Sequence, residues 1–149
     1  MKAVIQRVSM AKVEVNKKIV GQISAGLLLL IGIDEEDTET DAEWLTQKVI
    51  NLRIFSDEEG KLNLSVQEIR GEILCISQFT LIADYKKGNR PSFIKAARPE
   101  SAIPLFDYFK VLLSQSNLKI ESGIFGADMK VNLINDGPVT IVIDSRTKL

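Results

Sequence analysis

Apolar and polar residues alternate from Lys2 to Val8 and again from Lys12 to Val15, a period of two that predicts half-buried β-strands. Asn16-Lys17-Lys18 reads as a turn, after which Ile19 to Ile23 returns. At Gly26 the pattern changes to the run "LLLLIGI", which predicts a strand buried on both faces. The acidic segment from Asp34 to Asp41 reads as a solvated loop feeding a helix N-terminus, where carboxylates favour the helix dipole. Thr40-x-x-Glu43 supplies a capping-box pattern. Ala42, Leu45, Val49 and Leu52 then recur at helical spacing as one apolar stripe. Arg53 to Phe55 predicts a short strand ended by "SDEEG", and Glu72 to Ala83 a long one. Tyr85 to Arg98 reads as a loop. Pro99 opens a second helix in its first turn, with a stripe of Ala102, Leu105, Phe106, Phe109, Leu112 and Leu113. Lys119 to Ser122, Lys130 to Asn135 and Val139 to Asp144 are the last strands. The pattern predicts one α+β domain over residues 1–149, a mostly antiparallel sheet curled toward a barrel, with two main helices.

Composition narrows the chemistry. The 149 residues are 45% hydrophobic and 26% charged, with a net charge of −1. Those values fit a globular protein with a sizeable core and say nothing by themselves about partners. Cys75 is the sole cysteine, so no intramolecular disulfide forms. It lies in the apolar run "EILCIS" and reads as a small buried hydrophobe. The start "MKAVIQRV" carries no long apolar leader, and the longest apolar run is far too short to span a membrane. A cytoplasmic protein is expected. Histidine is absent, which excludes a Ser-His-Asp triad, a Cys-His pair and a histidine zinc site. No cofactor or metal is expected.

Four segments stand out as carriers of chemistry. Ser77-Gln78-Phe79-Thr80 interrupts an apolar strand, and buried polar side chains there demand partners. On a period of two, Ser77 and Phe79 share one face and Gln78 and Thr80 the other, so neither face is purely polar. Tyr85 to Arg98 carries Lys86, Lys87, Arg90, Lys95 and Arg98 with no acid and with aromatics interleaved, a pattern suited to a phosphate backbone. Phe125-Gly126-Ala127-Asp128-Met129 reads as a loop between strands. Gly137-Pro138 stands at the mouth of a strand, where proline cannot donate a ladder hydrogen bond.

Taken in order, "AVIQRVS", "NLRIF", "SQFTL", "KGNRPSF", "FGADMKV" and "NDGPVT" closely resemble the D-aminoacyl-tRNA deacylase family over nearly the whole chain. The resemblance implies a homodimer that hydrolyses the ester between a D-amino acid and tRNA and also clears glycine mischarged on tRNA. It implies an active site at the subunit interface, built from Ser77, Gln78, Phe79 and Thr80 with a backbone N–H near Ala102. Gly137-Pro138, in the cis form and reaching into the partner's pocket, would reject L-amino acids by clash with the peptide wall. Phe125 and Met129 would line the pocket, and Arg7 would brace the Gly-Pro loop. Lys86, Lys87 and Arg90 would contact RNA. Thr80 would position rather than attack, because no base stands near it in sequence.

The chain departs from many relatives at Met10, where a basic residue is usual, and this touches no catalytic segment. Other readings of the same residues are a nucleic-acid-binding module without catalysis, a hydrolase of other aminoacyl esters, and a purely structural dimer.

Overall fold

The computed structural model describes residues 1–147. Strands β1 (Lys2–Val15), β2 (Lys18–Ile23) and β3 (Gly26–Gly32) form an antiparallel run in the order β2-β1-β3. Helix α1 (Glu39–Asn51), the small hairpin β4 (Phe55–Ser56) with β5 (Leu62–Leu64), and β6 (Glu72–Ser77) follow. Then come α2 (Pro99–Ser114), β7 (Ile120–Ser122) and β8 (Lys130–Asp144).

The sheet is antiparallel over most of its pairings, as expected, but mixed. β3 pairs with β6, and β6 with β7, in parallel. Each of those connections carries a helix, α1 or α2, and parallel neighbours need such a crossover. β8 pairs antiparallel with β1 along almost its whole length. The sheet curls until β2 nears β7: a Cβ on Gly21 would stand 2.9 Å from the Ser122 carbonyl oxygen.

β3 is buried on both faces, as its continuous apolar run predicts. Leu27, Leu29 and Ile31 join the layer beneath the helices with Leu45, Val49, Phe106 and Phe109. Leu28 faces the barrel interior with Val8, Ala11, Val13, Ile23, Leu74 and Ile76. Cys75 lies in the helix layer, and burial pushes its thiol up to about 12, so it is an unreactive core group. No helix among the described residues is long and apolar enough to cross a membrane.

Three local expectations change. The α1 cap is Thr38, not Thr40: Asp41 Oδ2 accepts the Thr38 N–H at 2.9 Å and its hydroxyl at 3.2 Å. Glu43 instead accepts the Tyr108 hydroxyl at 2.8 Å, tying α1 to α2. The strand predicted over Arg53 to Phe55 begins only at Phe55, and its partner Leu62–Leu64 gave too short a pattern to register. β8 runs unbroken through Gly137-Pro138, where two strands are predicted.

Asp41 also anchors the chain's ends. The Met1 amine lies 2.7 Å from Asp37 Oδ1 and donates to Ser145 Oγ at 2.6 Å, and Ser145 donates to Asp41 Oδ1 at 2.7 Å. Burial raises the Asp41 carboxyl, but the Thr38 N–H, the Ser145 hydroxyl and the N-terminal ammonium together hold it below its ordinary value. A depressed carboxyl stabilises the fold above the ordinary carboxylate pKa of about 4, and that contribution is lost as pH falls through the lower folded value. Asp41→Asn is therefore expected to lower the midpoint of thermal unfolding at pH 7 by roughly 2–4 °C, the equivalent of about 1 kcal/mol. Calorimetry across pH checks it: the gap between variant and wild type closes in acid.

Candidate active site

β3 and β6 run side by side and end together, and the chain leaving β6 builds the site. Gln78 N–H donates to the Ile31 carbonyl at 2.7 Å, the last ladder bond. The chain then turns rather than continuing as the long strand predicted to Ala83. Leu81 N–H returns to the Gln78 carbonyl at 3.2 Å and Ile82 N–H to Phe79 at 2.9 Å, forming a 3₁₀ turn over Phe79–Leu81. Gly32 permits this turn to lie so close, since a Cβ there would stand 2.8 Å from Leu81 Cβ and 3.2 Å from the Gln78 carbonyl oxygen. Strand alternation thus never governs Gln78 to Thr80.

The turn borders a cavity of about 260 Å³. Ser77, Gln78 and Phe79 line it on one side, Ala97 and Ala102 on a second, and Phe125 and Met129 on a third. Phe125 packs at 6.3 Å between ring centroids on Phe106 of α2. Phe79, 56% exposed, packs edge to face on Phe93 at 5.2 Å and holds the Tyr85 to Arg98 loop against the cavity mouth. Ala97 and Lys95 tie that loop to the exit of β3, through Ala97 N–H to Ile33 O at 2.9 Å and Glu35 N–H to Lys95 O at 2.8 Å.

Two backbone N–H groups at the turn, those of Phe79 and Thr80, have no acceptor among the described residues. The Ala102 N–H donates to the Arg98 carbonyl at 2.8 Å, so it is not free to serve a substrate oxygen, although the residue lines the cavity. An N–H needed inside the helix cannot also be its orphan donor. The free amide of that first turn is Glu100, two residues earlier, with no backbone acceptor among the described residues. Gln78 Nε2 donates to Thr80 Oγ1 at 2.5 Å. Thr80 therefore faces an amide donor and no base.

Gly137 and Pro138 do not line this cavity. They lie exposed on β8, and their peptide bond is cis. Arg7 reaches the same loop, donating through Nε to the Asp136 carbonyl at 3.0 Å and through Nη1 to the Ile54 carbonyl at 2.9 Å. Asn135 clamps the loop from within: its Oδ1 accepts the Val139 N–H at 3.1 Å and its Nδ2 donates to Thr140 Oγ1 at 3.0 Å. The sequence does not single out Asn135, Thr140 or Gly32: the first two close a local side-chain clamp with no periodic signal, and Gly32 acts on Gln78 and Leu81, far along the chain. Lys86, Lys87 and Arg90 are all exposed on the basic loop, which the reciprocal Asp84–Ser92 backbone pair closes. Lys86 borders a second concave space, distinct from the cavity.

A family model described as D-Tyr-tRNA(Tyr) deacylase matches residues 4–144. The chain belongs to the D-Tyr-tRNA(Tyr) deacylase family. Among deacylase relatives, the D-aminoacyl-tRNA deacylase of Cytophaga hutchinsonii is 62% identical over 149 residues, covering 99% of each chain. That of Flavobacterium psychrophilum is 58% identical with the same coverage. A solved structure described as a c-Myc DNA unwinding element binding protein superposes with a TM-score of 0.91 at 43% identity, covering 97% of this chain and 98% of that one. A structure described as a probable eukaryotic D-amino acid tRNA deacylase shares the fold, with a TM-score of 0.82 at 17% identity over 95% and 97% of the two chains. The deacylase fold thus accounts for β1 to β8 and both helices.

Proposed function

We propose that this D-aminoacyl-tRNA deacylase hydrolyses its ester in the cavity beneath the Phe79–Leu81 turn, without a side-chain nucleophile. The observation that carries this reading is the pair of unpartnered N–H groups at Phe79 and Thr80 beside a cavity of about 260 Å³. Such donors stabilise the oxyanion that forms when water attacks an ester carbonyl, and each is worth about 10²–10³ in rate. The backbone at the start of α2, at Ala102, borders the same cavity and frames the oxyanion site from the other side. Ser77 and Gln78 hold the turn and the adenosine end of the substrate, and Phe125 and Met129 form the floor. With no histidine in the chain, the terminal ribose 2′-OH of the tRNA activates the water. Lys86, Lys87 and Arg90 meet the phosphate backbone of the RNA.

The protein works as a homodimer in this reading, with Gly137-Pro138 of one copy closing the cavity of the other. Its support is that Gly137 and Pro138 are exposed on β8 and line no part of their own chain's cavity. Beside them, Ile134 and Val142 are 57% and 66% exposed on a strand that pairs with β1 alone. A backbone wall there excludes an L side chain by clash while a D side chain points to solvent. Glycine has no side chain to exclude, so glycyl-tRNA is also cleared. Arg7 holds the wall in place.

The test is hydrolysis of D-Tyr-tRNA against L-Tyr-tRNA by wild type and Thr80→Ala. Wild type should cleave the D-ester alone. Thr80→Ala should slow turnover without abolishing it, since only a positioning hydroxyl is lost. Complete inactivity in a folded Thr80→Ala protein would make Thr80 the nucleophile. A wild type inert to both esters while still binding tRNA would support a binding module.

A further inference from the structure

The active-site cavity has a neighbour. A cleft of about 570 Å³ opens on the other side of the same partition, in the size range of small-molecule sites. Three stretches of chain form that partition, and each gives residues to both sides. Ile33, Phe79 and Ala97 line the cavity, whereas Asp34, Ile82 and Lys95 line the cleft. Adjacent Cα atoms stand only about 3.8 Å apart, so at Ile33 and Asp34 the wall is one chain thick.

The cleft draws its chemistry from remote parts of the sequence. Tyr85 is 73% exposed and Ile94 is 85% exposed, which leaves an aromatic ring and an aliphatic side chain without protein packing. Lys2 from β1, and Lys86 and Lys95 from the loop, carry ammonium groups with no carboxylate partner among the described residues. Arg146 is already committed, with Nη2 at 3.1 Å from Asp34 Oδ1 and Nε at 3.2 Å from Asp37 Oδ1. Asp84 and Asp144 complete the lining, each accepting a backbone N–H on Oδ1 at 3.0 Å, from Lys86 and Arg146 respectively. Among the described residues, their second oxygens accept no hydrogen bond.

A ring face, ammonium groups and open carboxylate oxygens suit one ligand class. Aromatic rings stack single-stranded bases, lysines meet phosphates, and aspartate accepts the exocyclic amine of cytosine. We infer that this cleft holds the single-stranded cytidines that precede the terminal adenosine of the tRNA substrate, stacked on Tyr85. The inference rests on the proposed placement of the ester in the adjoining cavity. A chain entering from the cleft crosses the partition at Phe79 and delivers its last ribose to the free N–H groups.

The test compares two substrates, D-Tyr-tRNA and a minimal D-tyrosyl-adenosine ester, with wild type, Tyr85→Ala and Lys95→Glu. Loss of one stacked base should raise KM for D-Tyr-tRNA about tenfold in Tyr85→Ala with kcat unchanged. Lys95→Glu should flatten the dependence of log KM on log salt by about 0.7, one single-strand phosphate contact. Neither variant should alter kinetics on the adenosine ester. Fluorescence anisotropy of an uncharged oligoribonucleotide ending in CCA should show the same weakening, independently of catalysis. Unchanged KM and unchanged oligonucleotide binding in both variants would overturn the cleft assignment, as would equal losses on both substrates. A wild type that hydrolyses neither substrate would overturn the placement of the ester itself.

Discussion

Gly137→Ala should reduce kcat/KM for D-Tyr-tRNA by about 10²–10³, a far larger effect than the few degrees by which it lowers the thermal midpoint. Gly137 has a φ of +135°, where a Cβ is strained, a cost of order 1–3 kcal/mol at such positions. That Cβ would also stand 2.8 Å from Val139 Cγ2 and 3.0 Å from Arg7 Nη2. The loop must then shift, and Arg7 loses its grip on Asp136. A shift of about 1 Å in a positioning element costs about 10² in rate. The effect falls on chemistry more than on folding because the loop is exposed and its neighbours on β8 remain paired with β1. Steady-state kinetics alongside a melting curve separates the two. Equal loss of activity and of fold would make Gly137 a structural residue only, and unchanged kinetics would remove the loop from the site.

The second large effect concerns stability. Phe109→Ala should destabilise the protein by about 3–5 kcal/mol, a fall of roughly 10 °C or more in unfolding midpoint for a chain of this size. Phe109 is fully buried, in the layer shared by α1, α2 and β3. Removing the ring leaves a cavity that the sheet on one side and α1 on the other cannot close. Chemical denaturation checks the magnitude. A loss below about 1 kcal/mol would mean that α2 settles into the gap.

The sequence carried the fold where a pattern repeats. β1, α1 and α2 each show several turns or alternations of one apolar face, and β3 an unbroken apolar run, so their existence and type could be read directly. Strand direction could not, since β3 and β6 are equally apolar whether parallel or antiparallel. The β4–β5 hairpin is too short for any period to appear. The site was legible as segments rather than as geometry. Ser77 to Thr80 could be singled out by polarity within an apolar run, but the turn that frees the Phe79 and Thr80 N–H groups depends on Gly32, forty-five residues before Ser77 along the chain. The resemblance named Ala102 because it lies at the right helix end. What the sequence could not show is that the Ala102 N–H bonds to the Arg98 carbonyl inside the first turn, while the residue still lines the cavity.

β1 lies at the centre of the antiparallel part of the sheet, yet one of its edges is closed by β8, the last strand of the fold. During synthesis that edge must wait, unpaired, until nearly the whole chain has left the ribosome. Pairing of such high sequence separation is slow, and an open edge meanwhile invites contact with other chains. The strand that closes it also carries the Gly137-Pro138 loop, so a nascent chain cannot acquire that loop's setting, braced by Arg7 of β1, before its hydrophobic layers are in place. The setting of that loop and the sealing of the sheet are then a single late event, one that a truncated product missing β8 can never complete.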